Sequence, residues 1–465
     1  MMNLPEDFIS QIKTILPDKS ETFFRAMEQP AEVSVRFNEK KSTKTLLKNR
    51  VPWCDNGYYM NSRAQFTFDP LFHAGAYYVQ DASSMILSHV AKKLCVEPLK
   101  YLDLCAAPGG KSTAVINVLP EGSLMVSNEI IGSRSRILRE NIIKWGASGC
   151  VVTNNDSGSI GKLNGFFDII AADVPCSGEG MFRKDEEALT QWSLGLVKQC
   201  AARQREIIGN IWNALRPGGY FIYSTCTYNR DENEEMVEYI VSNYGAASVN
   251  LELPAEWNVR KGIDTVHDCY RFMPDCTRGE GLFLCVLRKN DIDGYAERVL
   301  KKTATNKKMQ GARTVPGKLK DWIISPDKYE YIIKDNEISA IPKPYADDVA
   351  ILSENLRVIY SGIGLASVKG NDIIPSHALA VNNYINPEYW LSVDVGYREA
   401  IAFLRGESLS LGELPKGYIV ICYEGTPLGF VKNLGTRANN MYPKEWRIRS
   451  TYAPASPPSL HDMEI

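Results

Sequence analysis

The sequence contains no Cys-x-x-Cys pair, no apolar run of membrane-spanning length and no marked excess of either charge. The first absence argues against zinc ribbons and thioredoxin-like redox motifs, which space their thiols that way. The second excludes a membrane helix, which needs roughly 18 apolar residues in a row. The third, a net charge of −2, means that the molecule as a whole does not attract nucleic acid, so any such binding must come from local patches. A charged leader followed by an apolar run is also missing: the chain opens MMNLPEDFISQIKTIL, which reads as a helix. The 11 cysteines, an odd number scattered from Cys54 to Cys422, then imply free thiols in a reducing cytosol. A cytoplasmic protein without a membrane partner or metal is expected, with monomer as the default state. Hydrophobic residues at 44% and charged residues at 23% are ordinary for a globular chain. A length of 465 residues suggests two to four domains, at roughly 100–200 residues each.

Residues 1–80 read as a small α+β section: helices over Glu6–Ile15 and Glu21–Met27, a strand over Glu32–Asn38, and aromatic packing from Tyr58, Tyr59, Phe66, Phe68, Phe72, Tyr77 and Tyr78. From 81 to 289 the pattern becomes strand, turn, helix, repeated. Strands are expected at Tyr101–Cys105, Ser123–Glu129, Cys150–Thr153, Phe167–Ala172, Tyr220–Ser224 and Gly281–Leu287. Helices are expected from Lys111, over Gly132–Trp145 and over Leu196–Leu215, the last stopped by Arg216-Pro217-Gly218-Gly219. Such alternation indicates an α/β fold with a parallel sheet covered on both faces, in which ligands bind beyond the carboxyl ends of the strands. Residues 290–321 read as a basic linker, with Arg298, Lys301, Lys302, Lys307, Lys308, Arg313, Lys318 and Lys320 and no acid after Glu297. It is either a solvated tether or a phosphate-contacting segment. Residues 322–449 alternate short strands (Tyr329–Lys334, Leu356–Ser361, Tyr418–Tyr423) with turns, plus a helix over Asp394–Arg405, and read as a β-rich module. Residues 450–465 form a proline-containing tail that is expected to be poorly ordered.

The run YLDLCAAPGGKS at 101–112 is a strand, a glycine turn and a helix start. Gly109 and Gly110 allow a tight turn and close approach of a ligand to backbone amides. A Walker loop would need glycine at 105, where this chain has Cys105. Glu129 ends the next strand, some twenty residues on, where an acid suits ribose hydroxyls. Asp156 follows the third strand and could meet an adenine amino group, and Asp173 ends the fourth. Three acids at successive strand ends favour an adenosyl ligand over a pyrophosphate, whose charge they would repel.

DVPCSGEG at 173–180 and YSTCT at 223–227 each follow a strand, so Cys176 and Cys226 belong at the same rim as the glycine turn. Structural cysteines are usually buried within elements and inert. Two at strand ends among small and hydroxyl residues suggest reactive thiols. A thiolate is what methylation at carbon 5 of cytosine requires: addition to carbon 6 makes an enamine, carbon 5 then takes a methyl group, and loss of its proton expels the thiol. Ring nitrogen 3 gathers charge meanwhile, and a protonated carboxyl from Asp173 would stabilise it. The target base must be unstacked or single-stranded.

At these residues the chain resembles the Sun/nucleolar-protein family of RNA cytosine-C5 methyltransferases, and within it the bacterial RsmF type. The matching blocks are SVRFN at 34–38, HAGAYYVQDASS at 73–84, LDLCAAPGGKS at 102–112, DVPCSGEGMFRKD at 173–185, RPGGYFIYSTCTYNRDENEE at 216–235 and GEGLF at 279–283. The resemblance implies a Rossmann-like class I methyltransferase core with a C-terminal PUA-like module. It implies S-adenosylmethionine as methyl donor, held by Cys105, Ala106, Ala107, Pro108, Gly109, Gly110, Lys111, Glu129, Asp156 and Asp173. Where DNA cytosine methyltransferases attack with the Pro-Cys thiol, this family uses the later one, so attack falls to Cys226 and product release to Cys176, with Lys111 near donor and base. It implies an RNA partner, 16S rRNA or the small ribosomal subunit, with Lys432, Arg437, Lys444, Arg447 and Arg449 as candidate phosphate contacts. Many relatives carry Pro-His before the GEG block, where this chain has Pro274-Asp275. Two alternatives stand beside this reading: an assembly factor that keeps the fold without the chemistry, and a transfer RNA substrate.

Overall fold

The computed structural model describes residues 3–41, 48–291 and 317–458. The linker residues Arg298, Lys301, Lys302, Lys307, Lys308 and Arg313 lie outside that range, as does the end of the tail. Lys318 and Lys320 fall in a 3-10 helix, Gly317–Trp322, anchored by buried Leu319 and Trp322. All 11 cysteines are unpaired. Among the described residues no helix is long and apolar enough to cross a membrane.

Helices α1 (Glu6–Ile15) and α2 (Ser20–Met27) open the chain, and the short α3 (Pro70–His73) follows in the same section. Strands β1 (Val33–Phe37), β2 (Gly57–Met60) and β3 (Tyr77–Val79) form an antiparallel sheet in the order β2-β1-β3. The expected aromatics pack there: Tyr58, Phe66, Phe68 and Tyr77 are buried in one cluster and Phe72 packs on it. Tyr59 is buried in the neighbouring cluster.

The middle of the chain builds a ten-stranded sheet. Its parallel part comprises β4 (Lys100–Asp103), β5 (Leu124–Asn128), β6 (Cys150–Thr153), β7 (Phe167–Asp173) and β8 (Leu215–Thr225), ordered β6-β5-β4-β7-β8. Successive side chains of a strand point to opposite faces. Leu102, Val126, Ile170 and Phe221 accordingly join one core with the helices Leu194–Ile211 and Glu234–Tyr244. Tyr101, Met125, Ile169 and Ile222 join the other, with α4 (Ile86–Leu94), α5 (Gly110–Ile116) and α6 (Gly132–Trp145). This double coverage explains why these strands are apolar on both sides.

The sheet is mixed rather than wholly parallel. Strand Leu282–Lys289 runs antiparallel to β8 and carries Cys269–Phe272 and Ala246–Ser248 beyond it. At the other edge Val358–Ser361 pairs antiparallel with β6, so the C-terminal region lends the core sheet a strand. The helix predicted to reach Leu215 ends at Ile211, followed by one 3-10 turn. Arg216-Pro217-Gly218-Gly219 lies inside β8 as an irregularity: Phe167 pairs with Leu215, but the next pair is Ile169 with Tyr220. A bulge tolerates Pro217, which has no N–H to give the ladder, and Gly218 takes φ 70° there.

The C-terminal region holds two four-stranded sheets, one built from Tyr329–Lys334, Glu337–Pro342, Ile363–Lys369 and Asp372–Pro375, the other from Ser392–Asp394, Gly417–Tyr423, Thr426–Asn433 and Ala438–Asn440. The helix expected from Asp394 starts at Tyr397, because Asp394 closes a strand and Gly396 caps the helix in extended backbone. From the tail, Tyr452 packs on Phe68, with ring centroids 5.8 Å apart, and its carbonyl accepts from Arg405.

Candidate active site

Parallel strands put their carboxyl ends at one rim, and four of them deliver the expected residues there. β4 leads into the turn at 104–109, β5 ends beside Glu129, β7 ends at Asp173 and β8 leads into Cys226. The sulfurs of Cys176 and Cys226 stand 3.2 Å apart, and the Cys226 amide also donates to the Cys176 sulfur at 3.4 Å. The hydrogen bond with Cys226, together with burial, holds the Cys176 thiol well above its ordinary value, so it keeps its proton at neutral pH. Lys111 Nζ lies 2.7 Å from Asp173 Oδ2, and Ser224 Oγ donates to Asp173 Oδ1 at 2.9 Å. Burial works against the Lys111 ammonium, but the Asp173 carboxylate and the neighbouring Cys226 outweigh it and raise its pKa. The site therefore presents one fixed cation beside two thiols. Asp173 accepts from both neighbours here.

The glycine turn is pinned from behind through its carbonyls. Ala107 O accepts from Arg134 at 2.9 Å, Pro108 O from the Asn141 amide at 2.8 Å, and Gly109 O from Thr113 N at 2.9 Å. The Ala106 amide bonds Asn128 O across to β5 at 2.8 Å. Gly109 adopts φ 116°, which disfavours side chains, and a Cβ on Gly110 would stand 3.3 Å from the Tyr78 ring. Burial raises the Cys105 thiol, so this third rim cysteine stays a neutral part of the turn. Glu129 is buried, accepts from the Ile131 amide at 2.9 Å and pairs with Arg134 at 3.2 Å. Beside it Ile130 and Ile131 are 62% and 48% exposed, an apolar surface suited to a flat ring. Asp156 is exposed and caps the short helix Ser157–Gly161 through Ser159, whose amide and hydroxyl hold it below the usual carboxylate range. Acids at the strand ends, an apolar shelf and a tight glycine turn fit an adenosyl group. They do not fit a pyrophosphate.

A cleft of about 750 Å³ opens at the opposite rim, lined by Ser123, Gly149 and Tyr345 among others, and holds none of the expected residues except for its approach to the far end of β5. A cavity of only about 10 Å³ lies among Asp103, Lys111, Asp173 and Ser224. Chemistry, not cavity size, marks the site.

Comparison with known proteins decides the family. Residues 95–288 match the model of 16S rRNA methyltransferase RsmB/F, residues 4–82 that of the N-terminal domain of 16S rRNA methyltransferase RsmF, and residues 391–448 that of the methyltransferase RsmF PUA domain. Ribosomal RNA small subunit methyltransferase F of Shewanella sp. (strain W3-18-1) is 30% identical, over 96% of this chain and 97% of its own. Its namesake from Shewanella oneidensis matches to the same extent, 30% over 96% and 97%. The chain belongs to the ribosomal RNA small subunit methyltransferase F family. Among solved structures, a methyltransferase homolog protein from Pyrococcus horikoshii aligns with TM-score 0.53 at 24% identity, covering 62% of this chain and 96% of that one. NSun6 from the same organism, solved with SFG, aligns with TM-score 0.53 at 19%, covering 63% and 100%. At these identities the likeness is one of fold, and it agrees with the Rossmann-like core of the family.

Within this family member, a buried polar network behind the thiols escaped the sequence reading. Glu179 accepts from the amides of Tyr228 and Asn229 at 2.7 and 2.9 Å, and from side chains of Gln11, Trp192 and Asn229. Glu232 accepts from the Ser177 amide, Gln204 and Asn229. Burial raises its pKa. The two carboxylates thus tie the Cys176 loop to the Cys226 loop, and Gly180 N donates to Cys226 O at 2.8 Å. The signal was present as acids inside glycine-flanked and polar loops (GEG, DENEE), but spacing alone did not say that they point inward. The Asp275 side chain is shielded from solvent and paired with Arg260 at 2.5 Å. Of the C-terminal bases, Lys432, Arg437, Lys444 and Arg449 are exposed. Arg447 instead packs against Gly406, where even a Cβ would meet its guanidinium.

Proposed function

We propose that this chain methylates carbon 5 of a cytosine in 16S rRNA, with S-adenosylmethionine as donor and Cys226 as covalent nucleophile. The observation that carries this is the convergence of Cys226, Cys176, Lys111 and Asp173 on one rim beside the Gly109–Gly110 turn. Family membership supports rRNA as the acceptor, since the curated relatives are named for the small ribosomal subunit.

The Cys226 sulfur, as thiolate, bonds to carbon 6 of the cytosine, and the ring electrons collect toward carbon 5 and nitrogen 3. The Lys111 ammonium, raised in pKa by its neighbours, stabilises the thiolate before attack. Lys111 and Asp173 meet the polar edge of the base, and the Ser224 hydroxyl fixes the carboxylate. Bound S-adenosylmethionine supplies the electrophilic methyl group that carbon 5 takes up. Cys105 to Lys111, Glu129, Asp156 and Asp173 hold that donor. When a base takes the carbon 5 proton, its bonding electrons restore the 5,6 double bond, and the carbon 6–sulfur bond breaks with Cys226 leaving as thiolate. Cys176, which keeps its proton and touches the Cys226 sulfur, assists this release. The exposed C-terminal bases contact phosphates, and the chain acts as a monomer.

Bisulfite sequencing of 16S rRNA from a strain deleted for the gene, and from that strain complemented with wild type or Cys226→Ala, tests the reading. Loss of one or more protected cytosines, restored only by wild type, is expected. An unchanged pattern in the deletion strain, with no tritium transfer to 16S rRNA in vitro, overturns it.

A further inference from the structure

A buried arginine from the first β-sheet reaches the cofactor turn from behind. Arg36, in the SVRFN block on β1, is fully buried. Its Nε donates to Gln80 Oε1 at 2.9 Å, its Nη1 to Thr113 O at 3.3 Å, and its Nη2 to Gly110 O at 3.3 Å and Thr113 Oγ1 at 2.6 Å. The Trp145 ring lies 4.6 Å from the guanidinium carbon. All these partners are uncharged. Burial lowers the guanidinium to about 10, which leaves it charged at neutral pH. A buried cation bonded only to neutral oxygens is a costly arrangement, and simple adhesion between two parts of a protein does not require it.

What Arg36 touches gives the reason. Three of its four bonds end on α5, whose first turn follows Gly109 and carries Lys111. This helix has seven residues and starts with glycine, so by itself it is marginal. Gln80, which accepts the remaining bond, also backs Gly110, where a Cβ would meet its side chain at 3.5 Å. Other groups near β1 fasten the sheet elsewhere. Asn38 donates to Trp145 O at 2.9 Å and Gly75 O at 3.1 Å, and Lys41 to Ala74 O at 2.8 Å, away from α5.

We propose that Arg36 is a positioning residue for the methyl donor: it fixes the first turn of α5, making the N-terminal sheet part of the donor-binding machinery. This rests on the reading of residues 105–111 as the donor turn. The planar fork matters as well as the charge, because it reaches oxygens on two successive turns at once.

The test uses the full chain, calorimetric titration with S-adenosylmethionine, and steady-state kinetics on 16S rRNA. Arg36→Met raises the donor Kd and donor KM by roughly 10- to 100-fold, the loss expected for hydrogen bonds from a charged donor, while kcat at saturating donor and the KM for RNA hold. Arg36→Lys falls between Met and wild type. Thr113→Val, which removes the shortest contact without emptying the core, moves the donor constants the same way and serves if Arg36→Met does not fold. Asn38→Ala loosens the same sheet without touching α5 and leaves the donor constants near wild type. Unchanged donor affinity in Arg36→Met and Thr113→Val, or an equal rise in Asn38→Ala, overturns the proposal while leaving the donor reading intact. A wild-type chain that binds no S-adenosylmethionine overturns both.

Discussion

The Cys176 and Cys226 sulfurs sit 3.2 Å apart, and the first is held protonated by its contact with the second. In the proposed mechanism one sulfur attacks and the other assists departure. Cys226→Ala is expected to abolish methyl transfer, by a thousandfold or more on the order seen when a covalent nucleophile is removed. Cys176→Ala should leave attack intact and stall release. Gel electrophoresis in detergent with labelled 16S rRNA should then show a protein–RNA band in Cys176→Ala and none in Cys226→Ala. Normal turnover by Cys176→Ala, without that band, would reject the division of labour.

Lys111 and Asp173 form a pair whose members depend on each other. Removing the ammonium leaves Ser224 as the carboxylate's remaining side-chain donor among the described residues, and removing the carboxylate frees the lysine to move. Lys111→Met and Asp173→Asn should each lower kcat by about 10²-fold, the scale of a positioned polar group in a transition state. The double variant should cost clearly less than the product of the two, as groups in contact behave. Full additivity in kcat would show that they act separately.

The core sheet was readable because alternating strands and helices carry strong, regular patterns: Gly132–Trp145 and Cys150–Thr153 fall where the sequence puts them. The departures have local causes. Arg216-Pro217-Gly218-Gly219 looks like a helix stop, yet the helix has already ended and the glycines serve a bulge. The antiparallel edge strand Val358–Ser361 pairs with β6, which lies far earlier in the chain, and no local pattern reports such a pairing. At the site, Cys176, Cys226, Lys111 and Asp173 were legible because strand ends share a rim. Glu179 and Glu232 were not, since whether an acid in a loop turns inward depends on the donors waiting there. Asp156, expected from the sequence to meet an adenine amino group, caps the helix Ser157–Gly161 in this structure.

Asp103 supplies a pH test of the site's foundation. It is buried beside the Ser112 hydroxyl at 2.6 Å, and burial pushes its carboxyl up to about 6. The folded protein therefore holds this proton more tightly than the unfolded chain. Its stabilising effect is full below the unfolded value near 4 and is lost as pH rises through 6, a change of about 3 kcal/mol. Asp103→Asn lacks the titration. Urea unfolding of both proteins should show the variant gaining on wild type by about that amount between pH 4 and pH 8. A difference between them that does not vary with pH would mean that Asp103 titrates normally.

Two glycines of one loop should respond oppositely to a methyl group. A Cβ on Gly180 would stand 2.8 Å from Cys226 O and 2.9 Å from Gly281 Cα, with backbone on both sides and no flexible side chain to yield. Gly180→Ala must therefore push the peptide of Cys226, the proposed nucleophile, and the hydrogen bond from its amide to Cys226 O must lengthen. Displacement on the scale of 1 Å at a reacting group costs about 10²-fold in rate. The expected result is a kcat lowered by that order with donor affinity unchanged, because the 105–111 turn is not touched. Gly178 adopts φ 72° but faces open space, with nothing within 4 Å of a Cβ. Gly178→Ala should cost only the left-handed backbone penalty, about 1–2 kcal/mol of stability, and keep most of the activity. Equal activity in the two alanine variants, measured by tritium transfer to 16S rRNA, would show that the backbone of Cys226 does not need the Cys176 loop to hold it.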